Sequence, residues 1–440
     1  MTAPAAGVHR AAERAAREAY GRLVAMLAWQ WRDLAAAEDA LSEAFAAALA
    51  RWPEQGIPDS PEAWLLTVAR RELLQDARHA RVAHDPAVQV LLAVGDDSPA
   101  AGTQFPDARL KLMFVCAHPA LPAALHAPLM LQAVLGLDAA QIANAFLISP
   151  SAMAQRLVRA KARIKSEGLR FEEPAPQELP ERIAPILEGI YGAYTIGSNA
   201  AAPLADEGAQ LRPEAEFLAR LVVSLLPGSA EARGLLALIL FCEARRNAQF
   251  DAAGRFVPLL EQDTAAWNAG LIREAEECLW QASRLRQPGP FQLEAAVHSA
   301  HCQRAATGTV PWAGIVALYE ALAAHYPGTG ASIGHAAALG FAGRAAEGLA
   351  VLDTLPANMM AAHQPYWVTR AHLLALCGET ALRRTALERA AGLTQARRVR
   401  EHLLAQLAVT RARVPKSSRD RSQSTSSAAV APASGASAHC

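Results

Sequence analysis

The clearest alternation of apolar and polar positions in this chain lies between residues 138 and 165. Asp138 and Gln141 have the spacing of a capping box, which predicts that a first helix begins here. Ser149 followed by Pro150 is a second start signal, because a proline at the first helical position has no N–H to leave unpaired. From there four apolar residues recur at the spacing of one buried helical stripe, namely Met153, Leu157, Ala160 and Ile164. The pattern predicts two helices joined by a short turn.

The other faces of the second helix are polar and basic. They carry Ser151, Gln155, Arg156, Arg159, Lys161 and Arg163. Serine, glutamine and arginine near the N-terminus of an exposed helix suit base edges in a major groove, and the later cations suit phosphates. A solvated charged face is the alternative interpretation of such a run. We interpret the segment as a helix-turn-helix that binds DNA through these six side chains.

The pattern before this segment is also helical. Apolar stripes run through residues 20–27 and 37–48, and a loop rich in helix breakers separates them from a third helical segment. Residues 82–106 lack sustained periodicity, which predicts a linker. We therefore expect a first domain at residues 1–81 and a second at residues 107–172.

Residues 173–413 read as one helical segment after another. Several pairs, such as those between Trp312 and Leu355, have the pattern of tetratricopeptide (TPR) units. Stacked pairs of this kind usually form a concave surface for a protein partner, and a purely structural helical bundle is the alternative. Residues 414–440 are rich in Ser, Ala and Pro, which predicts a disordered tail. The fold class expected for the whole chain is all-α.

Composition narrows the function. The 440 residues include 42 Lys plus Arg and 42 Asp plus Glu, so the formal net charge is zero. Because a domain that binds DNA alone usually has a basic balance, we expect a local DNA contact assisted by a larger partner that supplies most of the affinity. The 6 cysteines show neither a C-x-x-C pair nor zinc-ligand spacing. We expect buried thiols, with no metal and no cofactor.

The sequence also argues against membrane proteins and enzymes. No apolar run reaches membrane-spanning length, and the first residues are charged where a signal peptide would be apolar. We expect a cytoplasmic protein with no membrane partner. The sequence contains no nucleophile elbow, phosphate-binding loop or metal-binding motif, which indicates that the protein is not an enzyme.

Taken in order, the blocks resemble bacterial sigma factors of the extracytoplasmic-function class in the sigma-70 family, and more narrowly the subgroup with a C-terminal TPR-like domain. Residues 37–45, followed by Arg-Trp-Pro at 51–53, are similar to the helix that docks on the clamp helices of the largest polymerase subunit. Acids on an exposed helix face would suit a basic partner. The resemblance implies that core RNA polymerase is bound by Glu38, Asp39 and Glu43.

The second block is residues 61–71 together with the breaker-rich loop before them. In this class of proteins, that loop and helix open the −10 promoter element and hold a flipped base. Base capture needs a pocket presented by an irregular loop beside a basic helix. The residues in the matching places are Gln55, Gly56, Asp59, Arg70 and Arg71.

The third block joins residues 107–121 to the helix-turn-helix and is similar to the domain that reads the −35 element. The resemblance thus assigns the six polar and basic side chains of the second helix to −35 DNA. In the C-terminal region, residues 260–263 with Trp267, and residues 286–293, resemble signature stretches of that subgroup's extension.

The resemblance implies a sigma factor that directs RNA polymerase to specific promoters for transcription initiation. Its partners would be core RNA polymerase and promoter DNA, with a possible regulatory protein at the TPR-like domain. One alternative is a helix-turn-helix transcriptional regulator with a TPR-like sensor that does not join core polymerase. It gives no reason for the acidic helix and loop before residue 82. Another is an interaction scaffold, in which the basic helix is only a solvated face.

Overall fold

The computed structural model describes residues 3–81, 107–146, 148–167, 169, 174, 177–199, 210–394 and 396–412. Within these ranges the chain forms 20 α-helices and three short 3₁₀ turns, and it contains no β-strand. The expected all-α class is confirmed. The expected linker at residues 82–106 and the expected tail at residues 414–440 lie outside the described residues.

Seven helices form the N-terminal part: α1 (Ala3–Trp31), α2 (Leu34–Gln55), α3 (Pro61–Arg81), α4 (Ala108–Cys116), α5 (Ala123–Ala133), α6 (Ala139–Ala145) and α7 (Pro150–Ser166). Thirteen follow: α8 (Leu179–Asn199), α9 (Leu211–Leu225), α10 (Ala230–Ala244), α11 (Ala269–Arg284), α12 (Pro290–Cys302), α13 (Arg304–Thr307), α14 (Trp312–His325), α15 (Thr329–Phe341), α16 (Ala345–Asp353), α17 (Ala357–Met360), α18 (Gln364–Leu376), α19 (Thr380–Leu393) and α20 (Arg397–Ala412). None of the described helices is both long and apolar enough to cross a bilayer.

Local capping explains where α6 and α7, the two helices of the predicted helix-turn-helix, begin. The Asp138 carboxylate accepts from two backbone N–H groups of α6, and the Gln141 side chain accepts from the Asp138 N–H, so the predicted capping box is confirmed. The Ser149 hydroxyl accepts from the Ala152 N–H at the start of α7, where Pro150 holds the first position. These contacts satisfy donors that the first turn of a helix otherwise leaves unpaired.

One apolar core joins the N-terminal helices to the first helices of the C-terminal region. Its buried members run from Val8 in α1 to Cys302 in α12. Helix α1 packs on α2 and α3, and also on α4 and α5, while α5 in turn packs on α8. At the last of these contacts Gly189 of α8 lies against Met130 of α5, where a Cβ would be 2.9 Å from the sulfur. The segments expected as separate domains are therefore in direct contact.

Beyond α12 the helices stack on their chain neighbours. Three smaller apolar clusters hold this stack together. The first lies among α12, α14 and α15, the second among α15 to α18, and the third among α18, α19 and α20. Helix α15 contacts both α14 and α18, so each pair of helices rests on the next. Contacts limited to neighbouring pairs are typical of helical-repeat proteins.

Candidate nucleic-acid interface

Helix α7 buries the apolar stripe that the sequence predicts. Met153, Leu157, Ala160 and Ile164 are all at most 3 % exposed, and the helix packs on α5 and α6 through this stripe. Burial of four aligned apolar residues fixes the rotation of the helix about its axis. The opposite face of α7 therefore points to solvent.

Five of the six side chains assigned to −35 DNA are exposed on α7: Ser151, Gln155, Arg156, Arg159 and Arg163. The Arg159 Nε donates to the Gln155 carbonyl at 3.2 Å, and the Arg163 Nε donates to the Glu167 carboxylate at 2.7 Å. Such exposed contacts within one helix are weak, so a phosphate can replace them. This face has the polar and cationic character that contact with a DNA groove needs.

The sixth side chain, Lys161, points elsewhere. Its ammonium group forms an ion pair with the Glu38 carboxylate of α2, and the side chain is only 17 % exposed. One turn further along, the Lys165 ammonium lies 3.0 Å from the carboxylate of Asp33, the N-cap residue of α2. Two cations of the predicted DNA-binding helix thus meet two acids at the start of α2.

The burial of Glu38 corrects the expectation that all three acids assigned to core polymerase are exposed. The sequence predicts an exposed acidic face with Glu38, Asp39 and Glu43, but only Asp39 and Glu43 are exposed, and Glu38 is buried. Burial raises the pKa of the Glu38 carboxyl, and the Lys161 charge opposes that rise. The expectation was wrong for Glu38 because the amphipathic pattern of α2 contains no information about α7, which covers that position.

The residues assigned to the −10 element lie at the end of α2, in the loop that follows it, and on α3. Gln55, Gly56 and Asp59 are exposed together around this turn. Gly56 adopts φ 86°, a left-handed conformation that favours glycine, and its N–H donates to the Trp52 carbonyl at 3.0 Å. The edge-to-face pair of Trp52 with Trp64 of α3, with ring centroids 5.5 Å apart, braces the turn.

The two arginines assigned to the same element differ in exposure. Arg71 of α3 is exposed, whereas Arg70 is half-buried, and its Nε is buried without a hydrogen-bond partner among the described residues. Arg71 can therefore contact a DNA phosphate in the conformation that it has in this structure. Arg70 would have to turn outward to contact DNA.

The cysteines follow the expectation of buried thiols only in part, and Cys440 lies outside the described residues. Cys116 and Cys302 are buried, Cys242 and Cys278 are half-buried, and burial raises the pKa of the Cys116 thiol. Cys377 is exposed at the end of α18, so the expectation of buried thiols was wrong there. Its position at a helix terminus, outside the apolar stripe, leaves it uncovered. The described residues contain no group of three or more side chains that could hold a metal ion.

The two C-terminal signature stretches are held by residues that the sequence did not single out. Arg304 donates to the carbonyls of Leu259, Leu260 and Gln262, and its guanidinium lies 5.2 Å from the ring centroid of Trp267. These contacts fix the turn between α10 and α11. No local sequence signal marks Arg304, since its partners lie more than 30 residues away.

The second stretch, residues 286–293, is fixed by Glu231 of α10. The Glu231 carboxylate accepts from the backbone N–H groups of Phe291 and Gln292 at 2.9 and 3.1 Å. Glu231 thereby caps α12 from another helix. Both signature stretches thus carry side chains and backbone groups that stabilise the fold of the C-terminal region.

The comparisons with known proteins agree with the N-terminal geometry. Residues 16–82 match the family model of sigma-70 region 2, and residues 182–283 match a family of unknown function, DUF6596. An uncharacterized protein of Rhizobium meliloti (strain 1021) is 36% identical over 369 residues, which are 82% of this chain and 87% of that protein. No solved structure matches the chain.

The acidic helix, the braced loop and the match to region 2 occupy the same N-terminal segment. The N-terminal segment thus contains a sigma-70 region 2 domain, which supports a factor of the sigma-70 family. Core RNA polymerase and promoter DNA are the partners that a sigma-70 domain implies. The alignment with the rhizobial protein covers more of the chain than the two family models together.

Proposed function

We propose that this protein is a sigma factor of the extracytoplasmic-function class that directs RNA polymerase to specific promoters. The observation that carries the proposal is the exposed polar and basic face of α7, the second helix of a capped helix-turn-helix, in a chain that also contains sigma-70 region 2. The alternative, a transcriptional regulator that does not bind core polymerase, does not explain the presence of sigma-70 region 2. Because such a factor acts together with RNA polymerase, we propose that the protein is cytoplasmic.

In this proposal α7 reads the −35 element. Ser151 and Gln155, near the N-terminus of the helix, are exposed and suit base edges. Arg156, Arg159 and Arg163 follow on exposed faces and suit phosphates or guanine. Lys161 joins this set only when its ion pair with Glu38 is broken.

The −10 element and core polymerase are assigned to the N-terminal helices. The exposed turn with Gln55, Gly56 and Asp59 would hold the flipped base, and Arg71 would hold the backbone, with Arg70 joining after a rotation. Asp39 and Glu43 offer exposed charge to a basic surface of polymerase. Glu38 would contribute to the same polymerase contact only after its ion pair with Lys161 is broken.

We further propose that the stacked C-terminal helices are a TPR-like regulatory domain that binds a protein. The stacking of neighbouring pairs supports this assignment. The region also contacts the helices beside the helix-turn-helix: Arg109 of α4 pairs with Glu214 of α9 and lies 4.9 Å from the ring centroid of Phe217. A partner bound to the C-terminal helices could therefore act on promoter binding through α4.

Transcription reconstituted with core polymerase and a promoter selected by the wild-type protein tests the proposal. We expect Arg156→Ala to lower output from that promoter about tenfold without unfolding the protein, since a good base contact contributes about 1–3 kcal/mol. If Arg156 instead contacts a phosphate, the negative slope of log affinity against log salt should become about 0.9 less steep in the variant.

Arg397→Ala is the matched control, because Arg397 is an exposed arginine on the distant helix α20. Unchanged output and unchanged DNA affinity for Arg156→Ala would refute the −35 assignment. Failure of the wild-type chain to co-purify with core polymerase would favour the regulator that acts without joining it.

A further inference from the structure

Helix α10 is followed by a buried arginine whose charge has no counterion among the described residues. Arg245 is only 6 % exposed, and its Nη1 is buried without a hydrogen-bond partner in the part of the chain that the structure describes. Its Nη2 donates to the Nδ1 of His298 in α12 and lies 3.9 Å from the Sγ of Cys242. Neither neighbour is an acid, so the guanidinium charge is desolvated without compensation.

The acid closest to Arg245 in sequence is engaged by other groups. Glu243 accepts from the Tyr194 hydroxyl at 3.0 Å, and its carboxylate lies 3.8 Å from both Arg212 and Arg246. Two arginines and a tyrosine therefore share this one carboxylate. The excess of positive charge at this end of α10 favours an anion taken from solution.

A second nitrogen without a partner lies on the same face of α12. His301 follows His298 by three residues, a spacing that places both rings on one side of the helix. The Nδ1 of His301 is buried without a hydrogen-bond partner among the described residues, and its ring packs edge to face on Trp312 of α14, with centroids 5.4 Å apart. Burial lowers the pKa of His301 to about 4, and the Arg245 charge adds to this shift. The imidazole is therefore neutral at pH 7 and can donate from one nitrogen.

We propose that Arg245 and His301 form a binding site for a small monocarboxylate between α10 and α12. One carboxylate oxygen would accept from the Arg245 Nη1 and the other from the His301 Nδ1, which would compensate the buried charge. Two separate donors match the two oxygens of a carboxylate, whereas a halide offers a single centre. The ligand must be small, because Arg245 is almost completely enclosed.

This site is separate from the promoter contacts. Arg245 falls within the residues matched by the DUF6596 model, in the C-terminal region. Helices α10 and α12 already pack on each other, and a ligand held by both would stabilise their contact. The test of this site needs neither polymerase nor DNA.

Thermal unfolding of the full chain in sodium formate and in sodium acetate tests the site. Formate at about 100 times its Kd should raise the Tm of the wild type by about 5 °C or more, along a saturable curve. Arg245→Gln removes the charge but keeps a donor for His298, and it should lose the saturable rise. Arg246→Gln is the matched control, because Arg246 is an exposed arginine at the next position. This control should respond as the wild type does.

A second variant tests the site without altering Arg245. His301→Phe keeps an aromatic ring against Trp312 and removes the ring nitrogens. We expect it to raise the formate concentration at half-maximal Tm shift by about tenfold, since a charge-assisted hydrogen bond is lost. His325→Phe is its control, because His325 is an exposed histidine on α14.

Three results would overturn the proposal. The first is a saturable rise of equal size in the wild type and in Arg245→Gln, and the second is no saturable rise in the wild type with either formate or acetate. The third is an equal rise in sodium chloride, which would indicate a halide site. If Arg245→Gln does not fold, the comparison with His301→Phe decides, and an unchanged formate midpoint in that variant would refute the site.

Discussion

Removing the Glu231 side chain should destabilise the C-terminal region by uncapping α12. The helix begins at Pro290 and is preceded by Gly289, which has no side chain to act as a cap. Glu231 of α10 fills this role with hydrogen bonds from the Phe291 and Gln292 N–H groups, and it also accepts from the Gln292 side chain at 3.2 Å. A Cβ at residue 289 would overlap the Glu231 carboxylate, which explains why glycine suits that position.

The magnitude follows from the donors that Glu231→Ala leaves unpaired. Phe291 and Gln292 are buried, at 9% and 7% exposure, so water reaches their N–H groups poorly. Each buried donor without a partner costs about 1–3 kcal/mol. Burial raises the pKa of the Glu231 carboxyl, because removing its charge from water costs free energy. Glu231→Ala removes this desolvation cost, which offsets part of the loss. We expect a net loss of about 2–3 kcal/mol in the free energy of unfolding.

Guanidinium unfolding followed by tryptophan fluorescence measures this loss. Glu231→Gln keeps one acceptor oxygen and should lose about half as much, because one of the two backbone bonds survives without charge assistance. Glu188→Ala, which removes an exposed acid from α8, is the control. A loss below about 0.5 kcal/mol for Glu231→Ala would show that water caps α12 and would refute the reasoning.

Two further predictions concern the same region. Arg304→Met should lower the free energy of unfolding by about 2 kcal/mol, since it removes the side-chain donor to the Leu260 and Gln262 carbonyls. Wild-type stability in the same guanidinium assay would contradict this. The Glu294 carboxylate accepts a hydrogen bond from the Tyr191 hydroxyl, and burial raises the pKa of this carboxyl. The contribution of Glu294 to stability is therefore complete below the pKa of this carboxyl in the unfolded chain. It is lost as pH rises through the higher pKa of the folded protein. Glu294→Gln should therefore raise the melting temperature more at about pH 8 than at about pH 5, and a difference independent of pH would contradict this.

Local sequence signals predicted the two capped helices α6 and α7 well. The acceptor side chains of Asp138 and Ser149 lie within three residues of the N–H groups they cap, so the sequence contains both halves of each contact. The buried stripe of α7 is likewise set by the spacing of its own residues. Contacts between residues within one helical turn of each other were predictable for this reason.

Contacts between distant parts of the chain were not predictable from one sequence. Glu231 and the helix it caps are 60 residues apart, and Glu38 and Lys161 are separated by 123. The polar pattern of α2 places Glu38 on the outer face because charged residues usually lie there. Only the packing of α7 against that face turns the same residue into a buried one.

The same pair changes how the zero net charge is understood. From the zero net charge we expected a local DNA contact assisted by a larger partner, and the structure adds that acids at Glu38 and Asp33 lie directly against α7. Salt screens the exposed contacts of α7 with DNA more strongly than it screens a largely buried ion pair. Rising ionic strength should thus weaken DNA binding by α7 before it weakens the Glu38–Lys161 ion pair.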